Sequence, residues 1–362
     1  MQNAIKEIIN SITENKQEKN ANIYPAFKDK RYTACQITTE NIQQFIPRNH
    51  NLKISAIDGG NIEIIKSPDT SLHLVRLYFN IFKNNIRQTP QTIPQKIDFY
   101  ALAQSFQKDT DIYYKTKLIP LEESHKKYLP DEKDLTFDSY DPTITTGIFR
   151  TPISKIGEIS RKFAEWNISK HIIDNELEEG DILLRDGALQ TAITNETTYA
   201  KEAYVSAETK NITYCALSKT STLLATNAKT LATAITETAG TTHEKSTWLY
   251  HPLTTSTPPD HKAAIYYVHL NKNSDYTFRF EIYEKQNKSA QKTIEQLAHN
   301  SKDMTFPGYP YTLIDADKNA RVTFKEINFH KTCIGQYKNK NKIALETGIR
   351  ATDAHDLLNR II

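Results

Sequence analysis

Two apolar stretches, each carrying an Asp-Gly step, constrain this chain more than any other feature. The first is Ile54-Ser55-Ala56-Ile57-Asp58-Gly59-Gly60, followed by the apolar run 62–65. The second is Asp181-Ile182-Leu183-Leu184-Arg185-Asp186-Gly187. Each reads as a buried strand ending in a carboxylate. Asp-Gly is also a common turn start, so either step alone says little. An ionised carboxylate on a buried strand is costly to desolvate, and it needs backbone donors, a basic partner or a metal. Two of them side by side in a sheet repel unless a divalent cation lies between them. Oxygen-only ligands suit Mg²⁺ or Mn²⁺. Two such ions, about 3.5–4 Å apart, activate water and stabilise the leaving oxygen in phosphodiester cleavage.

Around these strands the pattern predicts a mixed sheet with helices. Ile5, Ile8, Ile9 and Ile12 share one face of an N-terminal helix over residues 1–20, and a short helix follows Thr39. Strands at 54–58 and 61–66, joined through Gly59-Gly60, and a third over 72–82 suggest an antiparallel meander. Residues 84–150, with their prolines and charge clusters, read as an elaboration of loops around one helix near 93–107. Thr151-Pro152 opens a helix with the stripe Ile156, Ile159, Phe163, Trp166 and Ile173. Arg161 and Glu165, four residues apart, share a side of it. Then come a helix near 195–209, a strand over 212–217 and a hairpin of strands at 264–270 and 276–283. Further helices follow at 286–299, after Gly308-Tyr309-Pro310-Tyr311, and over 341–360.

Composition excludes some functions and leaves others open. A net charge of only +3 over 362 residues gives no global nucleic-acid signature, so a DNA surface must come from local asymmetry. The run 331–342 is the most basic stretch. Three widely spaced cysteines argue against a disulfide framework and a cysteine zinc cluster, and fit reduced thiols in a cytoplasm. The N-terminus lacks a signal-peptide pattern, and no apolar run approaches about 18 residues, so no membrane association is expected.

Several motifs, in order, resemble the NurA nuclease family. They are Ala56-Ile57-Asp58-Gly59-Gly60, the Arg161/Glu165 helix, Leu183-Leu184-Arg185-Asp186-Gly187-Ala188-Leu189 and Ala216-Leu217-Ser218-Lys219-Thr220-Ser221. Gly308-Tyr309-Pro310-Tyr311-Thr312-Leu313-Ile314-Asp315-Ala316-Asp317 and Asp353-Ala354-His355 complete the set. The resemblance implies an α/β fold: a ribonuclease H-like mixed sheet flanked by helices, with family-specific insertions. It divides the chain into an N-terminal helical arm, 1–50, and a nuclease domain, 51–362, with the insertion at about 84–150. It further implies a Mn²⁺-dependent (or Mg²⁺-dependent) deoxyribonuclease with two ions. Its activity would be 5′ to 3′ exonucleolytic, with single-strand endonuclease action as a further option. Such an enzyme works as a homodimer with a HerA-type hexameric ATPase in DNA end resection for break repair.

By that resemblance Asp58 and Asp186 are paired metal ligands and Glu165 is a third carboxylate, with Glu158 as a substitute. Where the family usually carries histidine, this chain has Asp317, which can ligate a metal but cannot act as a neutral imidazole. Either Asp317 is the fourth ligand, or activity differs, or Asp315 serves. Lys219 is a candidate for the phosphate or the transition-state charge. Arg161 is a candidate for orienting Glu165 or contacting DNA. Tyr309 and Tyr311 are candidates for stacking on bases, or for core packing. A rival is a catalytically weakened subunit that binds DNA or the ATPase. A metal-dependent phosphatase acting on small molecules is a third reading.

Overall fold

The computed structural model describes residues 1–14, 22–243 and 245–336. Among these residues the chain forms a mixed 12-stranded sheet with helices against it. It divides into two compact units. One comprises Met1–His50, Asp186–Gln190 and Cys215–Tyr311; the other comprises Asn51–Arg185, Thr191–Tyr214 and the described residues from Thr312 on.

The second unit is built on a long antiparallel pair, Lys53–Lys66 against Thr70–Lys83. Thr70–Lys83 is buried along nearly its whole length, with both faces covered, and the polar residues that interrupt its apolar run, Ser71, His73, Arg76 and Asn80, are buried with it. Lys96–Lys108 and Asp111–Pro120 extend this sheet as a hairpin. On its other edge Lys53–Lys66 pairs in parallel with Ile182–Asp186. A parallel neighbour requires a long crossover, here completed by the helix Lys155–Asn175. That helix buries Ile156, Ile159, Phe163, Trp166 and Ile173, the stripe expected from sequence, and Ile172 beside them. Its first residue is Lys155, and Thr151-Pro152 belongs to the turn before it.

The first unit carries the antiparallel hairpin of Ala263–His269 and Phe278–Tyr283. A core of Leu231, Ile235, Trp248, Tyr250 and Tyr267 packs against it. The helix Gln2–Glu14 is formed, with Ile5, Ile8 and Ile9 exposed.

Three further local expectations are overturned. The region near 93–107 is strand, not helix: Ile97, Phe99, Ala101 and Ala103 are buried at a period of two, and Pro94 lies just before the strand. The segment after Thr39 is a single turn of 3₁₀ helix followed by the strand Ile42–Gln44, paired with Trp248–Tyr250. Gly59-Gly60 makes no turn; both glycines lie within one continuous strand, and Asp58 is at its middle rather than its end. A further helix, Phe324–Gln336, covers the start of the basic run. The remainder of that run, the 341–360 helix and His355 lie outside the described residues.

The glycines are there for clearance. A β-carbon on Gly59 would meet Glu165 Oε1 at 2.5 Å and Arg161 Cγ at 3.0 Å, on the side of the Lys155–Asn175 helix. A β-carbon on Gly60 would overlap the Ala320 carbonyl oxygen, on the opposite side, where the helix Tyr311–Ala320 ends. Two helices thus approach one strand closely from its two faces. Gly60→Ala should destabilise the protein by about 1–3 kcal/mol, because backbone must move to admit the methyl group. Urea unfolding measures this; an unchanged midpoint would show that the close approach is absent.

Candidate metal centre

Side chains on a strand alternate between its faces. In the parallel pair Ile57 is opposite Arg185, so Asp58 and Asp186 come next in step. Arg185 and Gly59 face the Lys155–Asn175 helix. Asp58 and Asp186 point to the other face, where the Tyr311–Ala320 helix lies. That helix is fastened by Asn80, fully buried, whose amide donates to Thr312 O at 2.7 Å and Asp315 Oδ2 at 2.8 Å. The Asn80 Oδ1 accepts the Ala56 N–H at 3.3 Å, which ties the helix to the Asp58 strand.

The outcome is one acidic group. Asp58, Asp186 and Asp317 each offer a carboxylate oxygen, and these oxygens lie within 4.8 Å of one another. It is the one such group found among the described residues. Asp315 is two residues away on the helix and so faces elsewhere. It binds Asn80, Arg87 and Asn319 instead. Of the two aspartates weighed from sequence, Asp317 is the one that joins Asp58 and Asp186.

Glu165 does not join this group. It stands on the opposite face of the sheet, where Arg161 Nη1 approaches its Oε1 at 2.5 Å and Arg185 Nη2 its Oε2 at 2.9 Å. Arg161 also donates to Gly59 O at 3.1 Å and Asn61 Oδ1 at 3.1 Å. Arg185 is buried, with its guanidinium 4.0 Å from the centroid of the Trp166 ring. Burial pulls its pKa down, the Glu165 charge opposes this, and the net direction is up. Glu165 therefore links the residue after Asp58 with the residue before Asp186, from behind. Glu158 is likewise outside the acidic group.

The remaining candidates fall into two kinds. Lys219 Nζ lies 2.6 Å from Asp186 Oδ2 and 6.0 Å from the centroid of the Tyr309 ring. It is an ion-pair partner of Asp186. Tyr309 is 1% exposed, with its ring stacked on Phe306 and edge-on to Phe278. No face is left for a base, and its hydroxyl is directed at Asp186 Oδ1, 3.4 Å away. Tyr311 is 39% exposed at the start of its helix.

Two participants are not singled out by the sequence pattern. Arg185 lies inside one of the family motifs, and a lone charge among Ile182, Leu183 and Leu184 was the available signal. Arg321 pairs with Asp317 at 2.5 Å and lies four residues after it, a spacing that a helix brings together.

The donor set fits a hard divalent cation. Three carboxylate oxygens converge, and mutual repulsion disfavours the group without positive charge. Lys219 and Arg321 supply part of that charge from the rim.

Fold and site together define a mixed α/β protein with a convergent group of three aspartates that could hold a metal. The comparisons identify its family: the NurA domain model matches residues 52–322, and the chain belongs to the NurA family. The resemblance carried by the motifs is thereby borne out. The NurA nuclease from Sulfolobus solfataricus has a similar structure, with TM-score 0.51 at 13% identity, covering 92% of this chain and 93% of that one. Argonaute from A. aeolicus aligns at TM-score 0.31 and 8% identity, over 76% of this chain and 29% of that one, too weakly to carry an argument. No curated protein sequence matches.

Glu165→Gln should be strongly destabilising. It leaves the buried Arg185 guanidinium without a counter-charge, a loss of about 3–5 kcal/mol. Denaturant unfolding in chelator measures it; a loss below about 1 kcal/mol would show that Glu165 is not the partner Arg185 depends on.

Proposed function

We propose that this protein is a divalent-metal-dependent deoxyribonuclease. The observation carrying the reading is the convergence of Asp58, Asp186 and Asp317 on one face of a parallel strand pair. These three side chains would hold Mn²⁺ or Mg²⁺, with two ions as the full complement. When bound, such ions activate water and neutralise charge on the phosphodiester. The protein's own contribution is placement. The strand register sets Asp58 beside Asp186, and Asn80 fixes the helix that brings Asp317. Lys219 at Asp186 and Arg321 at Asp317 put positive charge where a phosphate would arrive. Arg161 and Glu165 support the strands from behind.

The ribonuclease H-like core and the finer activity rest on family membership. We read the enzyme as a 5′ to 3′ exonuclease, with single-strand endonuclease action in addition. It would act as a homodimer on DNA ends, alongside a HerA-type hexameric translocase during end resection. No helix among the described residues is long and apolar enough to cross a membrane. Two observations favour a second reading, a catalytically weakened DNA-binding or ATPase-binding subunit. Lys219 and Arg321 already neutralise two of the three aspartates, and aspartate stands where the family usually carries histidine.

A cleavage assay separates the two. End-labelled single- and double-stranded DNA is incubated with Mn²⁺, Mg²⁺ or chelator. The nuclease reading expects metal-dependent cleavage that Asp58→Ala or Asp186→Ala abolishes while the fold is kept. Cleavage retained by the purified double variant would sink the site assignment, and none by the wild type would favour the weakened subunit. In chelator, Asp58→Asn should unfold no more easily than wild type and gain on the order of 1 kcal/mol, since one of three crowded charges is gone. Marked destabilisation of that variant would show that the aspartates are not a repelling set.

A further inference from the structure

The loop that follows Asp186 is anchored by a buried charge. Glu281 lies within the strand Phe278–Tyr283, opposite Ala216 on one neighbouring strand and Ile265 on the other. It is fully buried. Its Oε2 accepts the Leu189 N–H at 2.7 Å and lies 3.0 Å from His261 Nε2. Arg279 pairs with Oε1. His261 is also fully buried, and its Nδ1 lies 2.7 Å from the Tyr32 hydroxyl. A central strand position between alanine and isoleucine would ordinarily hold an apolar side chain. A carboxylate there is expensive unless its hydrogen bonds are used.

The bond to Leu189 gives it a use. Leu189 is three residues beyond Asp186, across Gly187, whose φ of +101° turns the chain away from the strand. The Gly187 N–H donates to Leu217 O at 3.1 Å, and Ser218 Oγ donates to Gly187 O at 2.7 Å. Asp186 thus opens a short loop tied at Gly187 to the strand that ends in Ser218, and at Leu189 to Glu281. The next residue after Ser218 is Lys219, which pairs with Asp186. Without the Glu281 carboxylate the Leu189 N–H loses this acceptor, three residues from a carboxylate that must hold one orientation.

We propose that Glu281 is a positioning residue for metal binding, which fixes the Asp186 carboxylate by anchoring the Leu189 N–H. The proposal rests on reading the three aspartates as a metal centre. Burial raises the Glu281 pKa, but Arg279 and His261 overcome this and hold it down at about 2, so the anchor is ionised throughout the physiological range.

The test compares Glu281→Gln with Glu281→Ala. Both leave Arg279 without its counter-charge, so both should be destabilised in chelator. Only glutamine keeps an oxygen to accept the Leu189 N–H. Mn²⁺ affinity of the purified full chain is measured by calorimetry, with melting in chelator as the stability control. Alanine should weaken Mn²⁺ binding about tenfold or more, the range seen when a support of a metal ligand is lost, and glutamine should restore most of it. Alanine binding Mn²⁺ like wild type, or both variants losing affinity equally, overturns the proposal. Wild type that binds no Mn²⁺ in the same titration removes the metal reading, and the proposal with it. Should the alanine variant not fold, His261→Ala takes its place. It removes a second donor to Glu281 and should weaken Mn²⁺ binding in the same direction by a smaller factor; unchanged affinity there is also contrary.

Discussion

The parallel, in-register pairing of the Asp58 strand with the Asp186 strand is the constraint on which the site depends. Ile57 opposite Arg185 sets the two aspartates side by side, because side chains alternate along both strands in step. Slipping the register by one residue would send one aspartate to the far face and leave the other alone. Everything nearby serves this alignment. Gly59 and Gly60 let helices approach from both faces, Asn80 fastens the helix carrying Asp317, and Glu165 bridges the arginines behind.

The arrangement separates charge by face. In front stand three carboxylates whose repulsion is eased by Lys219 and Arg321 at the rim. Behind stands Glu165 between Arg161 and Arg185, a compensated network with Glu165 and Arg185 buried and Arg161 at its edge. The front is arranged for a ligand and is a liability to the isolated protein, whereas the back is arranged for the fold. A carboxylate can therefore be close in space to the three aspartates and still belong to the structural side. Glu165 is that case: from the Lys155–Asn175 helix it meets Gly59 and Arg185, each one step along its strand from Asp58 or Asp186 and so on the opposite face.

Much of this was legible in the chain. Asp58 and Asp186 stood out as carboxylates in apolar runs. The late hairpin, the long helix and the helix after Gly308 followed from periodicity and punctuation. Asp317 was reached through the family motif, and geometry then separated it from Asp315. The failures share a cause: they concern positions whose meaning depends on a distant partner. Gly59-Gly60 looked like a turn because close approach by two helices leaves no local trace. The strand Lys96–Lys108 was hidden by flanking prolines and polar residues, although its buried positions alternate. For Tyr309 the sequence leaves base stacking and core packing both open, because it cannot show Phe278 and Phe306 closing around the ring.

The central claim is that Asp58, Asp186 and Asp317, and not Glu165, hold the metal. Anomalous diffraction at the manganese edge, from crystals grown with Mn²⁺, tests it most directly. The account predicts manganese peaks coordinated by those three aspartates, with Glu165 still paired to Arg161 and Arg185. Peaks liganded by Glu165, or no manganese at the three aspartates, would contradict it.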